Sequence, residues 1–557
     1  MPSLLLLLAL SFFPGATASP QGHALDPSTA RGIPVLDGGR VRPLEAVARE
    51  VVGLIHGSES LDGLAPLSSY LQIAFRGQEM SERQIVRLSY RPLRRELGLL
   101  PEGSYASFHE LSENPRLGQI LSSARRKRQD GKRLSPSEEA AEELLQRLER
   151  FAAAASGSDL RWLPGPLGNR GNWRFPGQVP FAEAAQSPLL ARRLLATNQI
   201  LEGFASGDQK NFDSGARALS GPEIFAPELR RCHDGTLLPA SRLRLKAEIV
   251  LMHLQPFRIA WILLLLASLA LLPLLFARTV LAPQRLLHGF AELLAWSATL
   301  FVSAGFCLRV MVSGRAPVTN MYETTLWAGL GALLFGLILH RIRNRPSLLA
   351  ITCGLGVALF VLADSFPTVL DPTISPLVPV LRSNGWLVLH VLVITLAYAA
   401  FLLASALGNL GLGQVFRRGN MASQREELSY WSFRAMQVGV FLLTAGILLG
   451  GIWADHAWGR FWGWDPKETW SLIADLGYLA VLHARHTGWI RTRGTLLGAV
   501  LAFYGVLMAW YGVNFLLTTG LHSYGFSRGG TVAMGFFALL QAVWVGICLY
   551  RERSRAD

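Results

Sequence analysis

The chain has 557 residues, half of them hydrophobic and only 17% charged, with a formal net charge of +14. The apolar content is uneven: up to about residue 256 the chain reads as soluble. Beyond it, runs of 18 to 24 apolar residues recur, long enough to cross a hydrocarbon core. The positive charge therefore speaks of membrane topology rather than nucleic-acid binding. The four cysteines (Cys232, Cys307, Cys353, Cys548) form no CxxC or CxxCH, which argues against a thiol-redox enzyme and a c-type cytochrome.

Residues 3–13 are an apolar run followed by Ala16-Thr17-Ala18, the pattern of a signal peptide (1–18) or of a short uncleaved anchor. Either reading puts the next region, 19–256, outside the cytoplasm. There GIPVLDGGRVRPLEAVAREVVGLIHG reads as a short strand, a turn at Gly38-Gly39 and a helix. The basic cluster Arg125 to Arg133 reads as a solvated linker, with anionic lipid as the alternative contact. Ser135-Pro136-Ser137-Glu138 is a capping box that opens a helix running to about Ala155. Residues 156–187 are rich in Gly, Pro and Trp and read as irregular. The region is mostly helical and shows no catalytic constellation; His23, His56, His109, His233 and His253 are isolated from one another in sequence.

Nine spans are expected at roughly 258–276, 287–309, 324–340, 347–364, 386–407, 435–453, 469–488, 495–517 and 530–550. The fold class is thus an all-α polytopic membrane protein with a mostly helical extracytoplasmic domain in front. With 19–256 outside, the inward connections and tail hold thirteen Arg or Lys and the outward ones five, in agreement with the positive-inside rule. In the outward segment RAPVTNMYET, Asn320 and Glu323 have N-cap and N3 spacing; Tyr322 and Glu323 could equally face a ligand.

The densest feature is WGRFWGWDPKETW, residues 458–470, also outward. Asp465, Pro466 and Glu468 stand at N-cap, N1 and N3 of the next helix. Trp458, Phe461, Trp462 and Trp464 have no such account. They are either an interfacial belt or a platform for a flat apolar ligand. His390 and His522 lie on either side of this stretch and on the same face. Two imidazoles suit the axial positions of a haem, and His456 competes for one of them. Arg460, Lys467, Arg382 and Arg528 are outward cations for its propionates. His483 lies about 14 residues, or about 20 Å, into the seventh span, where an ionisable side chain marks function by default. His288 and His340 are the inner histidines that could approach it.

Through GRAPVTNMYET, SNGWLVLHV, WGRFWGWDPKETW, VLHARHTGW and YGVNFLLTTGLHSYG, residues 280–550 resemble the CcsA family of cytochrome c maturation proteins, part of the WWD haem-handling superfamily. The resemblance implies a haem lyase subunit of the system II type in a bacterial inner membrane, with the WWD loop on the periplasmic side. It implies haem b as bound substrate, His390 and His522 as axial ligands, and Trp458, Arg460, Trp462, Trp464 and Asp465 around it. It also implies His483 on a transmembrane haem path shared with a ResB/CcsB-like membrane subunit. Apocytochrome c CxxCH segments are the implied acceptors, thiol-reducing proteins are further partners, and membrane lipid, not nucleic acid, is the surroundings. A haem exporter or chaperone without ligation is the alternative; a transporter of another solute is a third reading. The large region 19–256 departs from the family pattern.

Overall fold

The computed structural model describes residues 25–163, 173–221, 242–276, 282–367, 369–375, 385–417, 422–517 and 530–556. The expected signal segment, His23, Cys232, His233, Arg382, His522 and Arg528 lie outside the described residues. The chain divides into two compact units, Met1–His253 and Leu254–Asp557.

In the first unit, strands β1 (Pro34–Asp37) and β2 (Arg40–Pro43) form an antiparallel hairpin. Its turn needs left-handed backbone at two successive positions, and Gly38 and Gly39 supply it with φ of 56° and 79°. Helix α1 (Leu44–His56) follows directly, buries Val47, Val51, Val52 and Ile55, and stops at Gly57 in the left-handed region. A second small hairpin pairs β3 (Gln84–Arg87) with β4 (Tyr105–Ser107); the remaining described regular structure of the unit is helical.

Helices α2 (Pro115–Gln129) and α3 (Pro136–Ala155) correct one expectation and bear out another. The capping box at Ser135 and Glu138 is present in both directions. Arg125 to Arg128, expected in a linker, are instead the end of α2. Lys127 Nζ donates to Glu138 at 2.8 Å and Arg128 pairs with Glu142, so part of the cluster bridges α2 to α3. Between 156 and 187 the expected irregularity is broken by a short helix, Phe181–Gln186.

Several polar contacts are buried among the described residues of this unit. Arg40 meets Glu248, on helix α4 (Arg242–Leu254), with two parallel bonds of 2.7 and 2.6 Å. The Tyr70 hydroxyl donates to Asp159 Oδ1 at 2.9 Å, and Asp159 Oδ2 is buried without a hydrogen bond. Burial pushes the Asp159 carboxyl up to about 6 against the opposing pull of Arg150.

The second unit is a bundle of long helices: α5 (Pro256–Phe276), α6 (Ala282–Ser313), α7 (Met321–Arg343), α8 (Pro346–Ser365), α9 (Gly385–Gly413), α10 (Ala422–Trp458), α11 (Pro466–His486), α12 (Thr492–Leu507) and α13 (Gly530–Ala556). A ten-residue π-helix, Met508–Leu517, continues α12. Among the described residues eight helical stretches are long and apolar enough to cross a membrane, which makes this a multi-pass all-α membrane protein. The helix absent from those eight is α11, the expected seventh span; it is 21 residues long but carries Lys467, Glu468, Asp475, His483, Arg485 and His486. It packs against α10, α12 and the π-helix.

α9 and α10 form the most extensive helix pair. They meet through small residues, as membrane helices do when apolar burial gives no preference between protein and lipid. Phe401 lies against Gly439, Ile394 against Gly446 and His390 against Gly450. Both helices step by 7 and then 4 residues, in opposite directions. That is the register of an antiparallel pair.

Candidate functional site

Cavity beneath the tryptophan-rich segment

α10 continues to Trp458, so only residues 459–465 of the motif are loop. Gly459 leaves the helix with φ of 70°. At the other end Asp465 caps α11: its Oδ1 accepts from Lys467 N at 3.0 Å, and its own N–H donates to Glu468 Oε2 at 3.1 Å. The expected capping box is therefore present. Glu468 Oε2 also accepts from Gly463 N at 2.8 Å, and its Oε1 lies 3.8 Å from Arg460. One carboxylate thus ties the loop to the helix that follows. Arg460 lies 5.7 Å over the Trp458 ring and against Gly463, where a Cβ would overlap the guanidinium.

Beneath this loop is a cavity of about 650 Å³, within the roughly 300–1,000 Å³ usual for small-molecule and cofactor sites. Its walls include His390 and Tyr398 from α9, Trp453 from α10 and Phe461 and Trp462 from the loop. Lys467, Glu468 and Ser471 come from the start of α11, and Trp510 and Asn514 from the π-helix. The wide turns of a π-helix recur at functional sites, and here they hold an aromatic ring and an amide at the wall. Arg315, Thr319, Asn320, Thr324 and Thr395 complete the polar part.

The expected platform is split by the structure. Phe461 and Trp462 line the cavity. Trp458 packs edge-on to Trp453 at 4.6 Å, and Trp464, 70% exposed with φ of 56°, stands edge-on to Trp462 at 5.7 Å. Trp458, Trp464, Asp465 and Arg460 therefore support the lining rather than form it. Sequence reasoning missed Tyr398, Trp453, Trp510, Asn514 and Arg315. The first four sit inside apolar helical runs, where an aromatic or an amide gives no signal separate from ordinary packing.

His390 Nδ1 lies 2.7 Å from the Gly446 carbonyl oxygen. A carbonyl only accepts, so Nδ1 carries the proton and the lone pair of the neutral ring is on Nε2. That is the nitrogen suited to iron, in a cavity whose rings suit a flat apolar molecule. His456 donates from Nδ1 to Ile452 O at 2.8 Å within α10, is exposed, and does not line the cavity. Among the described residues no group of three His, Cys, Asp or Glu could hold a metal ion.

Other expected residues have different surroundings. Glu323 is buried in an ion pair with Arg309 at 2.8 Å, and Arg309 stacks 5.1 Å over Tyr322. Asn320 caps α7 by accepting from Glu323 N at 2.9 Å, so the capping reading holds, and neither Tyr322 nor Glu323 lines the cavity. His483 is in the last turn of α11, exposed, with its ring 6.2 Å from that of Trp489. His288 and His340 lie against each other with ring centroids 5.1 Å apart.

Similarity to known proteins

Residues 318–522 match the model of the family described as cytochrome C assembly protein. The chain is 31% identical over 509 residues to Protein NrfI of Wolinella succinogenes, covering 87% of this chain and 53% of that one. It is 36% identical over 272 residues to the cytochrome c biogenesis protein CcsA of Parasynechococcus marenigrum, covering 43% of this chain and 88% of that one. A solved structure, Cytochrome c Heme Lyase CcmF, aligns with a TM-score of 0.37 at 19% identity over 53% of this chain and 50% of that one, too partial a likeness to carry the fold.

The bundle and these matches define a multi-pass cytochrome c assembly protein. More narrowly, the chain belongs to the CcsA family of cytochrome c biogenesis proteins. It spans about half the length of NrfI. The NrfI match covers more of the chain than Leu254–Asp557 can supply, so the similarity extends into the N-terminal unit.

Proposed function

We propose that this protein holds haem as its substrate in the cavity beneath the 459–465 loop and presents it for covalent attachment to CxxCH segments of apocytochromes c. The observation that carries the proposal is that one cavity is walled both by His390 and by Phe461 and Trp462, more than 70 residues away in sequence. The donor set fits the ligand: an imidazole with its lone pair on Nε2, aromatic walls for the porphyrin, and cations at Lys467 and Arg315 for propionates.

His522 is proposed as the second axial ligand, and the cavity end of the bundle is proposed to face the periplasm, on the charge bias of the connections. Each cysteine S–H adds across one vinyl C=C of the haem, so sulfur and hydrogen both end on the former vinyl group and no oxidant is consumed. This chain's residues contribute position: His390 orients the iron, the rings hold the plane, and the loop excludes water. His483, exposed in the last turn of α11, is proposed to meet a ligand shared with a second membrane subunit of the ResB/CcsB type.

The test is a visible spectrum of the protein purified from membranes, wild type against His390→Ala, His522→Ala and His483→Ala. The first two are expected to change the ligation of bound haem, with partial rescue by imidazole, and the third to lower occupancy. Unchanged spectra in His390→Ala and His522→Ala would refute the assignment. Co-expression with a ResB-like subunit and an apocytochrome separates ligation from export: haem bound without covalent cytochrome would favour a chaperone.

A further inference from the structure

If His390 ligates haem, as proposed above, its orientation is set from the neighbouring helix. An ideal Cβ on Gly450 would lie 2.7 Å from His390 Cε1, 2.8 Å from Nδ1 and 3.3 Å from Nε2. The imidazole therefore occupies space that any other residue at 450 would fill. One turn earlier, a Cβ on Gly446 would lie 3.0 Å from Ile394 Cβ, and the Gly446 carbonyl accepts the Nδ1 proton at 2.7 Å. In an α-helix the carbonyl of residue 446 points along the axis toward residue 450. The ring reaches that carbonyl because nothing projects from 450.

We propose that Gly450 is a positioning residue for haem ligation: its missing side chain seats the His390 ring on the Gly446 carbonyl, which holds the proton on Nδ1 and presents Nε2. A hydrogen bond from the non-ligating nitrogen of a histidine to a carbonyl fixes the tautomer and ring plane and raises the basicity of the ligating nitrogen; losing such support typically costs about 10- to 100-fold in metal affinity. A methyl group at 450 must push the ring off its seat, because it would come within 3.0 Å of Cε1 and of Nδ1, the atom whose hydrogen bond to Gly446 holds the ring in place.

The α9–α10 register provides the control. Gly439 is packed against the Phe401 ring in the same way, 11 residues from Gly450 on the same helix and outside the cavity lining. In full-length protein purified from membranes, Gly450→Ala is expected to bind hemin about 10- to 100-fold more weakly, with an altered Soret band partly restored by imidazole. Gly439→Ala is expected to reduce thermal stability while leaving the spectrum of bound haem unchanged. If Gly450→Ala has the wild-type spectrum and affinity while His390→Ala does not, the positioning role is refuted and the ligand assignment stands. If His390→Ala itself leaves the spectrum unchanged, the ligand assignment fails and this inference with it.

Should Gly450→Ala fail to accumulate, His390→Gly/Gly450→Ala decides. Removing the ring removes the clash, so the double variant is expected to accumulate like His390→Gly. Continued loss would place the conflict elsewhere and overturn the proposal.

Discussion

Arg309 on α6 and Glu323 on α7 form a buried ion pair, Nη2 to Oε1 at 2.8 Å. Each partner is held further. Arg309 Nη1 donates to Pro372 O at 3.0 Å, and Glu323 Oε2 accepts from both N and Oγ1 of Thr319 at 2.8 Å. The pair thereby ties the turn before α7 to the segment that carries Pro372, and Arg315 and Thr319 of that turn line the cavity. Removing one partner leaves a buried charge without compensation. Arg309→Ala is expected to cost about 3–5 kcal/mol, read as lost thermal stability in detergent, whereas Arg309→Met/Glu323→Leu should lose much less. Equal losses in both variants would show that the pair itself is not the stabilising element.

Trp462 and Trp464 are two residues apart in sequence, and the structure gives them different work. Trp462→Ala removes an aromatic wall and is expected to weaken hemin binding by about 2 kcal/mol, roughly 30-fold. Trp464→Ala, at a 70% exposed position, should change it by less than about threefold. A titration followed at the Soret band checks both; equal effects would contradict the division of the loop into lining and support.

Asp465 has its side chain engaged in the cap of α11. Asp465→Ala is expected to lower stability by about 0.5–2 kcal/mol, and Asp465→Asn to keep most of it. The readout is the thermal midpoint, with the haem spectrum as the control. A spectral change in Asp465→Asn at unchanged stability would return this residue to the binding site.

In the N-terminal unit, the buried Asp159 carboxyl sits at about 6, above its ordinary value of 3.8. Between those two values the native state binds more protons than the unfolded chain, so stability falls as pH rises through that window. Acidifying from pH 7.5 to 5 is expected to stabilise this unit by about 1.4 kcal/mol through this group. Asp159→Asn should abolish that part of the slope. Limited proteolysis of the full chain at the two pH values, read at sites within residues 25–221, checks the sign.

Much of this protein is written in local sequence. Span lengths, the capping boxes at Ser135 and Asp465, the Asn320 cap and the Gly38-Gly39 hairpin each depend on residues within a few positions of one another. Sequence therefore determined these capped starts, the hairpin and the membrane class, whereas α6, α9 and α10 run several residues past the spans expected for them. His390 stood out because a polar ring in an apolar run is conspicuous. Tyr398, Trp453, Trp510 and Asn514 did not, and the linker expected around Arg125 became paired helix because Glu138 and Glu142 lie on the next helix.

Only the tertiary structure decided which rings of the Trp458–Trp470 stretch face the cavity. It also decided that His390 rests on Gly446 and Gly450. The first depends on how the loop packs on α10 and is tied to Glu468 of α11. The second depends on the crossing of helices α9 and α10, where residues more than 50 positions apart come within 3 Å. Local periodicity describes a single helix. Which face of it meets which face of another is settled by packing between them.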